Sequence, residues 1–167
     1  MKILGIDPGT ARMGYSILEI PKIPTVTPIV IETNVIITPA EAEMHHRLKL
    51  LYKNLTEIIK KHNPEVMVIE KLFFNTNVKT AITVGQARGV AMLTAANKKM
   101  YLYEYTALQA KLVLTGYGRS NKKEMQAAVK ESLGLESIIK SDDANDAIAI
   151  ALCFVKKDLE NFLNGRN

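Results

Sequence analysis

Five short apolar runs, and what lies between them, constrain the fold more than any other feature of this chain. KILGID (2–7), GYSILEI (14–20) and IVIETNVII (29–37) follow one another closely. EVMVIE (65–70) and KMYLYEY (99–105) are set apart by long stretches of helical periodicity. Runs this short and rich in β-branched residues read as strands. The first three predict an antiparallel meander joined by turns, and the Pro-rich segment 21–28 is a loop or hairpin end because proline cannot sit in a central strand. The next two, each reached through a helix, predict parallel strands with helices on the faces. The expected class is therefore α/β: a five-stranded mixed sheet flanked by helices.

The helices have legible limits. Leu48, Leu51, Leu55, Ile58 and Ile59 recur at helical spacing in a helix over roughly 40–62, with Thr38 or a neighbour as its cap and Asn63-Pro64 as its stop. A second helix covers about 78–97. Thr106 with Gln109, and Asn121 with Glu124, form two capping boxes, and the helix that begins near 122 ends near Gly134. The last helix runs from the Ser141-Asp142-Asp143 segment to about 163.

With 167 residues and neither repeats nor an interdomain linker, one domain over 1–167 is expected. The longest apolar run, AIAIALCFV (147–155), is too short to span a membrane. Cys153 is the only cysteine, which excludes an intrachain disulfide and a cysteine zinc cluster. The N-terminus shows no secretory pattern, so a cytoplasmic location without membrane contact is expected. Lys and Arg outnumber Asp and Glu 22 to 17, a balance that suits a polyanionic partner without identifying one.

Asp7 ends the first strand and Glu70 the fourth, and sites in such sheets form at strand ends. Asp143 and Asp146 are three apart on a predicted helix whose other residues are apolar, so they share a face directed at the sheet. Taken singly, Asp7 can open a turn, Glu70 can be a solvated strand end, and Asp142, Asp143 and Asp146 can serve helix capping. Taken together, four carboxylates from distant segments can converge. Like charges about 4 Å apart repel by roughly 4 kcal/mol at an effective dielectric near 20, and a helix N-terminus offsets only about 0.3–1 kcal/mol per acid. Divalent cations relieve more, and hard oxygen ligands suit Mg²⁺ or Mn²⁺.

Four segments carry a resemblance. GIDPGTARMGYSILE (5–19), IEKLFF (69–74), GQARGV (85–90) and DANDAIAIA (143–151) resemble, in order, motifs of the RuvC Holliday junction resolvase family. The resemblance spans nearly the whole chain. It implies a ribonuclease H-like fold, a homodimer, and Mg²⁺-dependent paired nicking of four-way junction DNA during recombination and repair. The nicks would leave 5′-phosphate and 3′-hydroxyl ends. It also implies about two metal ions per site, with Mn²⁺ as a substitute, and the RuvA–RuvB branch-migration complex as partner. By motif, the catalytic and metal-holding acids are Asp7, Glu70, Asp143 and Asp146. Asp142 fits less well, since it breaks the three-residue spacing. Related rRNA-processing nucleases and actin-like phosphotransferases share parts of this pattern, but the former do not combine GQARGV with the Asp-x-x-Asp helix and the latter need two such domains.

The remaining candidates are basic or aromatic. Phe73 and Phe74 follow Glu70 in a polar loop, where they either pack beneath it or stack on an unpaired base at the crossover; the motif favours Phe73. Lys122 opens a helix, where a cation opposes the dipole, which points to phosphate. Arg119 and Lys123 sit beside it. Lys111 and Lys122 both match family positions for DNA contact or catalysis. Arg88 is left between a structural and a phosphate-facing role, and His45, His46 and His62 are expected at the surface. Gly85, Ala87, Gly89, Ala91, Ala95 and Ala96 let another backbone approach the second helix, either the chain's own sheet or a partner subunit.

Overall fold

The structure is a computed structural model that describes residues 1–21, 27–71 and 78–165. Strands β1 (Lys2–Asp7), β2 (Arg12–Glu19), β3 (Ile29–Ile37), β4 (Val66–Glu70) and β5 (Tyr101–Tyr105) form one sheet in the order β3-β2-β1-β4-β5. β1–β2 and β2–β3 are antiparallel, whereas β4 is parallel to β1 and to β5, as the spacing of the runs predicts. The helices are α1 (Met44–His62), α2 (Val78–Asn97), α3 (Ala107–Thr115), α4 (Lys122–Leu133), α5 (Asp142–Lys157) and α6 (Leu159–Asn164).

Strand alternation divides the core into two layers. Leu4, Ile6, Met67 and Ile69 face a cluster that includes Leu51, Leu55 and Ile59 of α1 and Ala87, Ala91 and Ala95 of α2. Ile3, Val66 and Val68 face the other cluster, which holds Met125 and Val129 of α4 and the apolar face of α5. Asp7 and Glu70 continue the parity of that second set, so both project on the α5 side of the sheet at its edge. Arg12 and Gly14 of β2 share this side through the register Asp7↔Gly14.

α5 lies unusually close to the sheet because two glycines leave it room. A Cβ on Gly5 would stand 2.1 Å from the Ala147 carbonyl oxygen, and one on Gly14 would stand 1.9 Å from that of Asp143. Asp143 and Ala147 are one helical turn apart, so consecutive turns of α5 rest on β2 and β1 through backbone.

Three expectations need correction. Thr38 does not cap α1: it donates to the Thr10 carbonyl and accepts from Arg47 Nε, pinning the turn after β1, and the N-cap is Glu43, with no side-chain cap bond. The last helix is broken at Asp158, whose carboxylate accepts from the Tyr105 hydroxyl, giving α5 and α6. His62 is not at the surface: it is 8% exposed and bonded to Glu32, which also binds Lys61 and the Tyr15 hydroxyl. Both predicted capping boxes are present.

Candidate active site

The acids approach one another from three elements. Asp7 comes from the end of β1, Glu70 from the end of β4, and Asp143 and Asp146 from the first turns of α5. Asp7 is hydrogen-bonded to Glu70, and its carboxyl is pushed up to about 8 by burial first, then by the charges of Glu70, Asp146 and, least, Asp143. Burial also raises Glu70, as does Asp146, while the hydrogen bond from Asp7 acts in the opposite direction. The pair thus shares a proton, a configuration expected of carboxyls with no counter-charge between them. Asp146 keeps an exposed edge, yet it is raised by desolvation and by Asp142 and Asp143, with Lys111 and Lys122 pulling it down.

Glu70, Lys111 and Asp146 line a cavity of about 240 Å³ walled by α3, α4 and α5. Ala107, Ala110, Met125, Ala149 and Ile150 form the apolar remainder of its lining. Carboxylate oxygens, one lysine and no thiol or imidazole suit a hard divalent cation, and the raised pair is what such a cation would deprotonate.

Neighbouring ion pairs fix the periphery. Arg12 Nε donates to Asp143 Oδ2 at 2.7 Å, a contact between segments 131 residues apart. Lys122 is ion-paired with Asp142, which also accepts from Gln126 at 3.4 Å. Asp142 is therefore engaged with α4, whereas Asp143 leans toward β2. Arg88 is paired with Glu104 on the opposite face of the sheet, which makes it a tie between α2 and β5. Arg119 and Lys123 are exposed on the α3–α4 turn and the start of α4. Phe73 and Phe74 lie outside the described residues. Arg12 escaped the sequence reading, because only the β1–β2 register and the seating of α5 bring it to Asp143.

Among the described residues, a separate group brings its ligand atoms within 4.8 Å of one another: Glu43, His45 and His46, all exposed at the start of α1. α1 packs on the face opposite α5. The four acids are more open as a set, with Asp7 and Glu70 paired and Asp143 held by Arg12.

Sheet order, acids at adjoining strand ends and a closing acidic helix define a nuclease on a ribonuclease H-like fold. The comparisons agree. The family model described as crossover junction endodeoxyribonuclease RuvC matches residues 3–154. The RuvC of Halothermothrix orenii is 47% identical over 153 residues, covering 92% of this chain and 91% of that protein. The RuvC of Finegoldia magna is 45% identical over 166 residues, covering 98% of each. Thermus thermophilus RuvC, in complex with a Holliday junction substrate, superposes with a TM-score of 0.88 at 25% identity and 96% coverage of both chains. The chain belongs to the RuvC family of crossover junction endodeoxyribonucleases.

Proposed function

We propose that this chain, acting as one nuclease domain, resolves four-way DNA junctions by metal-dependent nicks in two symmetry-related strands. The observation that carries the reading is the meeting of Asp7, Glu70 and Asp146 from three separate elements, with Asp7 raised to about 8. Asp7, Glu70, Asp146 and Asp143 would hold the ions, Mg²⁺ or Mn²⁺, two per site. Bound there, the ions would supply an activated water and offset charge on the scissile phosphate.

The chain's own residues do the rest. Glu70 and Asp7 give up their shared proton as the site charges. Lys111, lining the cavity, places an ammonium against the transferring phosphoryl group. Lys122 is held beside the cluster by Asp142 and is positioned for the same task. Arg119 and Lys123 grip the backbone, and Phe73, with Phe74 beside it, stacks on a base at the opened crossover.

The homodimer would form through α2. Ala87, Ala91 and Ala95 are buried against the sheet, while Ile82 and Leu93, each 57% exposed, flank Gly85 and Gly89 on the outer side. Nothing lies within 4 Å of a Cβ added at either glycine, so this side is open to a second helix. Branch-migration proteins of the RuvA–RuvB type complete the partner set. No helix among the described residues is long and apolar enough to cross a membrane.

The test is a nicking assay on a synthetic four-way junction with linear duplex of the same sequence as control. Paired, Mg²⁺-dependent nicks in the junction alone are expected. Equal cutting of the duplex, or cutting in excess EDTA, would overturn the proposal.

A further inference from the structure

The α3–α4 turn presents an aromatic ring that the reading above does not use. Tyr117 is 59% exposed, but its backbone is held from several directions. Its N–H donates to Thr115 Oγ1 at 3.2 Å. Its carbonyl accepts from Ser120 Oγ at 2.7 Å and from the Ser120 N–H at 3.1 Å. Ser120 is itself 2% exposed and bonded to the Thr115 hydroxyl at 2.6 Å. Gly116 ends α3 in the left-handed region at φ 75°. Gly118 lies so close to Leu108 that a Cβ there would meet its Cδ1 at 2.5 Å, so the turn folds tightly onto α3.

The result is a rigid turn with a phenol ring projecting into solvent. Its surroundings are basic. Lys111 lies upstream on α3 and Lys122 begins α4, and both act electrostatically on Asp146. Arg119 and Lys123 are exposed on the same turn and helix start. In the chain, Tyr117 therefore falls between the two lysines that act on Asp146, on a surface whose charge favours a polyanion. A ring carried on a backbone that is held in advance loses only its own side-chain freedom when it is covered. Intact duplex offers it no free base face, whereas an opened junction does.

We propose that Tyr117 is a DNA-stacking residue that covers an unstacked nucleobase flanking the scissile phosphate, adding a second aromatic contact from the α3–α4 turn. The inference rests on the junction-nuclease reading, and the test separates the two. Binding of the full-length protein to a fluorescent four-way junction and to linear duplex is measured by anisotropy in EDTA, for the wild type, Tyr117→Ala, Tyr117→Phe and Lys123→Gln. Tyr117→Ala should weaken junction binding about tenfold, as loss of one base–aromatic stack does, while Tyr117→Phe stays within about twofold of the wild type because the ring is kept. The slope of log K against log salt should be unchanged in Tyr117→Ala and should drop by about one in Lys123→Gln, since only the lysine releases a counterion. With 2-aminopurine placed in turn at nucleotides beside the nick, one position should change emission on binding wild type and Tyr117→Phe but not Tyr117→Ala. Melting temperatures of the tyrosine variants should match the wild type. If the wild type prefers junction and Tyr117→Ala binds it equally well, the stacking inference fails alone. If the wild type shows no preference for junction over duplex, the functional reading fails first.

Discussion

The two faces of the sheet are built by different means. On the α1/α2 face, side chains of moderate size interdigitate: Leu51, Leu55 and Ile59 against Leu4, Ile6 and Met67. On the α5 face, helix backbone rests on strand backbone at Gly5 and Gly14. Side-chain packing tolerates small rearrangements at moderate cost. Backbone contact has no rotamer to give, so it fixes the height and rotation of α5 and, with them, Asp143 and Asp146. The lesson is that the face carrying the chemistry is the one with the least freedom to repack.

Four changes sharpen this contrast. The largest effect is expected from Asp7→Asn, which should cut junction nicking by roughly 10³-fold or more, as loss of a group acting in the transition state does. The same variant removes a buried like charge and should melt higher than the wild type at pH 8 in EDTA, by about 2–4 °C for each 1 kcal/mol relieved. Calorimetry beside the nicking assay checks both.

Next comes a pair of glycine substitutions. Gly14→Ala should destabilise by about 3 kcal/mol through overpacking and depress cleavage in what remains folded. Gly89→Ala on α2 meets open space within the chain and should raise helix stability by about 0.5–1 kcal/mol, while weakening self-association measured by sedimentation. Equal effects at the two sites would erase the distinction between the faces.

The third is a pH dependence. Burial, and then the charges of Glu70 and Asp146, push Asp7 up to about 8 in the folded chain, far above the ordinary carboxylate value of about 4. Between those values the folded state holds a proton that the unfolded state has released, so stability in EDTA should fall as pH rises from 4 toward 8 and level off above. Denaturant melts across that range check the sign, and a rise in stability would remove Asp7 from a buried acid pair.

The smallest effect belongs to the other face. Glu32 is lowered to about 2, chiefly by its hydrogen bonds from Lys61 and then Tyr15. This stabilisation is present above pH 4.5 and is lost as pH falls toward 2. Glu32→Gln should cost about 1 kcal/mol near neutrality, because the carboxylate is partly exposed, and should leave nicking unchanged.

Much of this was legible in the sequence for identifiable reasons. Strand parity and the three-residue spacing of Asp143 and Asp146 are local periodicities, and they sufficed to bring Asp7, Glu70 and the start of α5 to one side. Both capping boxes were readable because a box is contained in four residues. What escaped was non-local. Arg12 reaches Asp143 only through the β1–β2 register and the height of α5. Thr38 suits a cap by its hydroxyl type, but its partners Thr10 and Arg47 come from elsewhere in the chain. His62 resembles a surface residue in sequence because its partner, Glu32, lies thirty positions earlier on β3.

Because α5 rests on bare stretches of β1 and β2, the helix that fills the core is also the one that aims two of the acids. Loosening of the interior at Ala147 or Ala151 will therefore misalign the chemistry before the chain as a whole comes apart. On gradual heating, nicking should fade several degrees below the global melt, so the enzyme reports on the seating of its own central helix.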